Sequence, residues 1–197
     1  VIDVLAEVRT HLREHFGRVG IDDEPDAASV TFLGSEKIDV LRFGPDGDGV
    51  VHYVSLGCSR NPMFDPTEMV ADAVHGPRAE VTTALRGSSP KGLARSLAVL
   101  AAAPVVEGLM LEPDALVDLQ TPLWEGAPFS AFLLGGSEID DVALPSPLPP
   151  VVVLSATPIT ATEAAWVRLK GADAMRDAWR QDGVDVLDPR RRAASPS

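Results

Sequence analysis

Val50-Val51-His52-Tyr53-Val54-Ser55-Leu56-Gly57-Cys58-Ser59 is the stretch on which the reading of the fold turns. Side chains along a strand alternate between its two faces, so Val50, His52, Val54, Leu56 and Cys58 point one way and Val51, Tyr53, Ser55, Gly57 and Ser59 the other. Both sets are dominated by apolar or small residues, the pattern of a central strand with layers packed above and below it. Just before it, Pro45-Asp46-Gly47-Asp48-Gly49 has turn composition, and residues 38–43 form another strand-like run. The three pieces together predict a β-hairpin.

Outward from this hairpin toward the N-terminus, residues 29–33 alternate as a strand and residues 22–26 form a polar loop. Val1, Val4, Leu5, Val8, Leu12 and Phe16 recur at the spacing of an amphipathic helix that Gly17 ends. In the other direction, residues 60–76 have mixed loop character, with Asp65-Pro66-Thr67-Glu68 placed to start a short helix through Val70 and Ala71. Residues 78–85 alternate as a further strand. Ser89-Pro90 has the form of a helix start, Leu93, Leu97, Leu100 and Ala101 supply a buried stripe, and Pro104 is the expected stop.

Residues 109–111, 121–124 and 129–134 read as short strands, 145–150 as a stiff proline-rich link, and 151–156 as a second strand apolar on both faces. Thr160 and Glu163 have the spacing of a capping box, opening a helix with Trp166 and Leu169 inward. Gly171 interrupts that helix, Met175, Ala178 and Trp179 continue it, and Gly183 ends it. Residues 188–197, with Arg190-Arg191-Arg192, read as a basic, flexible tail on a domain formed by residues 1–187. Helices and strands interleaved without a regular βαβ rhythm predict an α+β fold: a mixed, mostly antiparallel sheet flanked by helices.

A chain of 197 residues is long enough for one self-sufficient core. Its single cysteine rules out an internal disulfide, no apolar run approaches the roughly 20 residues of a membrane span, and the first residues lack a basic start and a signal core. A soluble, cytoplasmic protein is expected. The net charge of −12 is unevenly spread: the 72 residues 96–167 hold no Lys, Arg or His but include Glu107, Glu112, Asp114, Asp118, Glu125, Glu138, Asp140, Asp141 and Glu163. Such a stretch does not bind a phosphate backbone, which needs clustered cations. It reads either as a solvated acidic surface or as a docking face for a basic partner.

No constellation of residues announces an enzyme. His52 and Cys58 lie six positions apart on one strand, about 20 Å, too far for a nucleophile and its base. His11-Leu12-Arg13-Glu14-His15 matches H-x-x-E-H, with both imidazoles on one side of a helix; a zinc hydrolase built on it needs a third ligand, for which Glu68 and Asp72 are the candidates. His15 lies beside the Val8 and Leu12 stripe, where core packing explains it. Asp46-Gly47-Asp48 lacks the further oxygens of a calcium loop, and Trp124, Trp166 and Trp179 read as core anchors. No cofactor and no catalytic residue is assigned.

His52-Tyr53-Val54-Ser55-Leu56-Gly57-Cys58-Ser59 resembles the signature strand H-Y-[IV]-S-[FL]-G-x-S of the suppressor of fused family. Further similar pieces follow in the same order: Glu80-Val81-Thr82, Gly92-Leu93-Ala94, Thr121-Pro122-Leu123, Pro158-Ile159-Thr160 with Glu163, Gly171, and Asp188-Pro189-Arg190-Arg191. The resemblance extends from about Ser29 to Arg192 and implies a non-enzymatic binding domain of single-domain, bacterial type. The animal protein of this family holds a transcription-factor peptide by strand addition between its lobes, and bacterial relatives are associated with toxin loci as immunity proteins. The family's peptide-contacting loop follows the signature strand; here it reads Arg60-Asn61-Pro62-Met63-Phe64-Asp65, a rough match that does not transfer the animal peptide specificity.

The resulting expectation is an immunity protein that binds and blocks a cognate toxin domain, such as a nuclease or an NAD-hydrolysing enzyme, or another protein with a basic surface. Met63, Phe64 and Asp65, with Glu112, Asp114, Asp118, Glu125, Glu138, Asp140 and Asp141, are its candidate contacts; Leu111, Trp124 and Phe129 are further candidate anchors that double as core positions. A peptide-binding regulatory scaffold and the zinc hydrolase are the alternatives. Neither nucleic acid nor a membrane is expected as partner.

Overall fold

In the computed structural model, which describes residues 1–195, the hairpin forms between β2 (Ile38–Phe43) and β3 (Val50–Leu56), with Phe43 opposite His52. Asp46 closes its turn: Oδ1 accepts the N–H groups of Asp48 and Val50 at 2.9 and 3.0 Å, and Oδ2 lies 3.0 Å from His52 Nε2. The bond to His52, helped by the two backbone donors, holds the Asp46 carboxyl below its ordinary range.

Around this hairpin the chain adds α1 (Val4–Arg18), β1 (Asp26–Val30), β4 (Arg78–Arg86), α2 (Leu93–Glu107), β5 (Leu116–Asp118), β6 (Phe129–Gly136), β7 (Val151–Thr160), α3 (Ala161–Lys170) and α4 (Ala172–Asp182). The seven strands form one sheet in the order β1-β2-β3-β4-β7-β6-β5. β4 and β7 run parallel, Arg78 opposite Val151, and the other neighbouring pairs are antiparallel. This is the mixed, mostly antiparallel α+β architecture expected.

Strand alternation distributes the core between the two faces. Val51, Tyr53, Val81, Leu85, Phe132 and Leu154 pack with Leu93, Leu97, Leu100 and Ala101 of α2 on one side. On the other side α1 covers Leu41, Phe43, Val54 and Val153 with Val8, Leu12 and Phe16, while α3 and α4 cover Ala131, Leu133 and Ile159 with Ala164, Val167 and Met175.

Several local expectations are corrected. β1 lies at Asp26–Val30 rather than 29–33, and neither 109–111 nor 121–124 is a strand; the short β5 takes the edge instead. α1 starts after the Asp3 cap, leaving Val1 outside, and runs through Gly17 to Arg18. The caps of α2 differ too: Gly92 (φ 102°) starts it, because Ser89 Oγ accepts from Tyr53 Oη (2.7 Å) and Arg42 Nε (2.6 Å) instead of capping. Pro104 sits inside its last turns, and Gly108 (φ 68°) ends it. No helix forms at 65–71, since the Asp65 side chain accepts Thr67 N–H at 2.8 Å and the backbone closes a local turn that competes with a helix. Leu169 is exposed and Trp166 half-buried, because α3 turns Glu163, Ala164 and Val167 inward.

The C-terminal segment is not a loose tail as far as Ala194. Arg191 is buried and pairs with the buried Glu163 at 2.9 Å, and Ala194 packs with α4.

Candidate functional site

β3 ends at Leu56, and Gly57 turns the chain out of the sheet with φ 151°. A Cβ there would meet Ile38 Cδ1 at 2.9 Å and Lys37 O at 3.0 Å, so the turn excludes side chains. Glu80, fully buried on β4, collects the groups released by that turn. Its Oε1 accepts Gly57 N–H (2.7 Å), Ser59 N–H (3.0 Å) and Ser59 Oγ (2.7 Å), and its Oε2 accepts Ser55 Oγ (2.5 Å). Ser55, Gly57 and Ser59, the small residues of the signature strand, are therefore wired to one carboxylate. Burial pushes that carboxyl above its ordinary range, against the pull of these four bonds.

Arg78, two positions earlier on the same strand, does not pair with Glu80. Its Nη1 donates to Ser59 O (2.8 Å) and Arg60 O (2.9 Å), fixing the next stretch of backbone. From this base the chain makes a compact excursion whose ends meet, as in an Ω-loop. Met63 N–H donates to Pro77 O at 2.7 Å, Met63 Sδ accepts Leu111 N–H at 3.3 Å, and a Cβ on Gly76 would strike Asp72 O at 2.6 Å. At its far side Asp72 Oδ1 accepts the N–H groups of Val74 (2.9 Å) and His75 (2.7 Å).

Between these pins the apolar side chains face water: Phe64 and Val74 are each 41% exposed, Val70 77% and Met69 97%. Singly, exposed apolar residues are ordinary; four in one short loop on a rigid base make it a candidate contact surface. Met69, Val70 and Val74 are not among the contacts expected from the sequence. The usable signal was their density in a loop already bounded by Gly and Pro; reading 65–71 as a helix obscured it.

The remaining candidates separate. Met63, Leu111, Trp124 and Phe129 are buried in the core; Phe64 is exposed and Asp65 half-buried. The acidic set is not one bare face. Asp114 pairs with Arg176 (2.6 Å), Asp118 with Arg168 (2.8 Å) and Glu125 with Lys91 (3.7 Å), cations from outside the acidic stretch that fold back onto it. Arg168 holds the Asp118 carboxyl below its ordinary range. Glu112, Glu138, Asp140 and Asp141 are exposed and have no cation within 4.0 Å among the described residues.

His11 Nε2 lies 2.9 Å from Asp140 O, and among the described residues no group of three or more His, Cys, Asp or Glu is arranged to hold a metal ion. The zinc reading therefore loses its third ligand. Cys58 is fully buried, and burial followed by the nearby Glu80 charge pushes its thiol well above the ordinary range, opposite to what a nucleophile needs.

A family model described as Suppressor of fused protein (SUFU) matches residues 34–192. Three solved structures share the fold. A putative SUFU homolog from Neisseria gonorrhoeae aligns over 96% of both chains at 20% identity with a TM-score of 0.65. The chain in a Sufu-Fu complex aligns over 96% of this chain and 91% of its own at 15% identity and TM-score 0.67. Drosophila Suppressor of Fused aligns at 15% identity and TM-score 0.67, with this chain spanning 51% of its length. No curated protein matches the sequence.

Proposed function

Because the chain belongs to the suppressor of fused family, we propose that it is a protein-binding module that docks its partner on the loop 61–76 and serves as an immunity protein, covering a cognate toxin domain in the cytoplasm. The observation that carries the binding surface is the set of exposed side chains Phe64, Met69, Val70 and Val74 on a base pinned by Glu80 and Arg78. A rigid base spares the partner the entropy of ordering the loop, so the apolar contact area appears in the affinity. The free carboxylates of Glu112, Glu138, Asp140 and Asp141 supply long-range attraction for a basic partner, which acts on association rate more than on residence time. The immunity role rests on the family resemblance and the acidic charge, and it predicts a toxin domain encoded in a neighbouring reading frame as the partner.

Titration of that toxin domain by calorimetry tests the proposal. Phe64→Ala and Met69→Ala are each expected to weaken binding by about 30-fold, the effect of an interface anchor worth about 2 kcal/mol. Asp140→Asn with Asp141→Asn is expected to slow association at low salt and leave dissociation unchanged. Equal affinity for the native chain and the Phe64 and Met69 variants removes the loop from the interface.

One observation favours a second reading, a peptide scaffold. β1 is an edge strand whose residues 26–29 are exposed, with one backbone edge open to strand addition. A partner using that edge is lost in Ala28→Pro and indifferent to Phe64→Ala.

A further inference from the structure

The sheet face opposite α2 is not covered across its full width. α1 closes one side of it and α3 with α4 the other, and between them lies a cleft of about 650 Å³, within the size range of ligand pockets. Its floor is made of short side chains from two adjacent strands, Thr82 and Ala84 of β4 with Ser155 and Thr157 of β7. The Thr82 hydroxyl is spent on Tyr53 O at 2.9 Å, whereas those of Ser155 and Thr157 donate to no group among the described residues. His15 and Phe16 form one wall, Val186 and Leu187 another.

The charges around the cleft are unequally matched. Arg86 is committed to Asp185 at 3.0 Å, and Asp46 to His52 at 3.0 Å. His15, facing Phe16 edge-on at 4.9 Å, is pushed toward its neutral form by burial and then by Arg18. Asp48 and Glu138 are both exposed at the rim, and neither carboxylate has a cation within 4.0 Å among the described residues; Arg86 reaches Asp48 only at its backbone, Nη1 donating to Asp48 O at 3.5 Å. An open, hydroxyl-floored sheet face whose unmatched charges are carboxylates complements a cation on a slender stem.

We propose that this cleft receives a lysine or arginine side chain carried on a segment of the partner protein, its stem against Phe16 and Ala84 and its head toward the Asp48 and Glu138 carboxylates. The inference rests on the reading of the chain as a protein-binding module, but uses no residue of the loop 61–76. It gives the partner a second contact, specified by charge, beside the apolar one.

The test is a titration of the ¹⁵N-labelled full chain with the blocked pentapeptide acetyl-Gly-Gly-Arg-Gly-Gly-amide. Saturable amide shifts are expected at Ala84, Ser155 and Thr157. Asp48→Asn with Glu138→Gln, both exposed and tolerant positions, is expected to weaken them by at least about tenfold. The same peptide with citrulline for arginine is expected to give none, and Phe64→Ala is expected to leave arginine-peptide binding unchanged, which separates this contact from the loop. Three results would each overturn the proposal: no saturable shift up to about 10 mM peptide, shifts confined to residues 63–75, or agmatine binding as tightly as the peptide, which would make the cleft a site for free small cations.

Discussion

Replacing Arg191 by alanine is expected to remove about 3–5 kcal/mol of folding stability, the cost of leaving a buried charge without its partner. Glu163 is fully buried on α3 and accepts from Arg191 twice, Nη1 at 3.0 Å and Nη2 at 2.9 Å. It also accepts from Thr160 N–H (3.0 Å), Trp179 Nε1 (2.8 Å) and Ala194 N–H (3.2 Å), so one carboxylate joins β7, α3, α4 and the C-terminal segment. The guanidinium in turn stacks over Phe129 at 4.9 Å and Trp179 at 5.6 Å and donates to Pro158 O at 2.9 Å. Arg190, exposed beside it, is the control and is expected to change stability by under about 0.5 kcal/mol. Urea midpoints at unchanged slope measure both; similar values for the two alanine variants would refute the assignment.

The pH dependence of this site has a definite sign. Burial raises the Glu163 carboxyl, but the donors, Arg191 foremost, outweigh it and leave it below its ordinary range. Its contribution is therefore complete above the ordinary carboxylate pKa and disappears as pH falls through the depressed native value. Without Arg191, burial dominates and the dependence reverses, so the stability gap between native chain and variant is expected to narrow on acidification.

Glu80→Ala is expected to cost at least about 3 kcal/mol, because it strands the N–H groups of Gly57 and Ser59 in a buried place at about 1–3 kcal/mol each and opens a cavity besides. The same change releases the loop that carries Phe64 and Met69, so partner binding should fall with stability and limited proteolysis should cut within residues 61–76. Glu80→Gln keeps an acceptor oxygen for those donors and removes a charge held without a cation, so it is expected to stay within about 1 kcal/mol of the native chain. Since the Glu80 carboxyl lies above its ordinary range, its contribution weakens as pH rises from the ordinary carboxylate value through the raised native one. The glutamine variant should lack that decline. An alanine variant as stable as the glutamine one would remove the network as the organiser of the loop.

Local patterns were legible where one short stretch contains both partners. The 45–49 turn and the Thr160–Glu163 capping box formed as read, the latter with Glu163 N–H donating to Thr160 Oγ1 at 3.2 Å. The family and its fold were also legible, since the signature strand and its followers lie within the matched span of 34–192. Pairings made by the tertiary fold were not. Nothing in the sequence joins Glu163 to Arg191, 28 positions on, or Asp114 to Arg176, 62 positions on. The first converts an apparent tail into packed structure, and the second takes Asp114 out of an apparent acidic face. In the loop, the Asp65-Pro66-Thr67-Glu68 start yields a local turn closed on Asp65 rather than a helix.

The parallel pairing of β4 with β7 has a bearing on biosynthesis. Strands β1 to β4 are consecutive antiparallel neighbours and can assemble as soon as they leave the ribosome, yet the outer rim of β4 stays bare until residues 151–155 have been translated. A polypeptide stopped at 150 presents that rim permanently, with Val81 and Leu85 beside it, and is expected to precipitate where the complete chain stays dissolved, as sedimentation of the two expressed products would reveal. The half of the sheet made last is thus what keeps the half made first from sticking to its own copies.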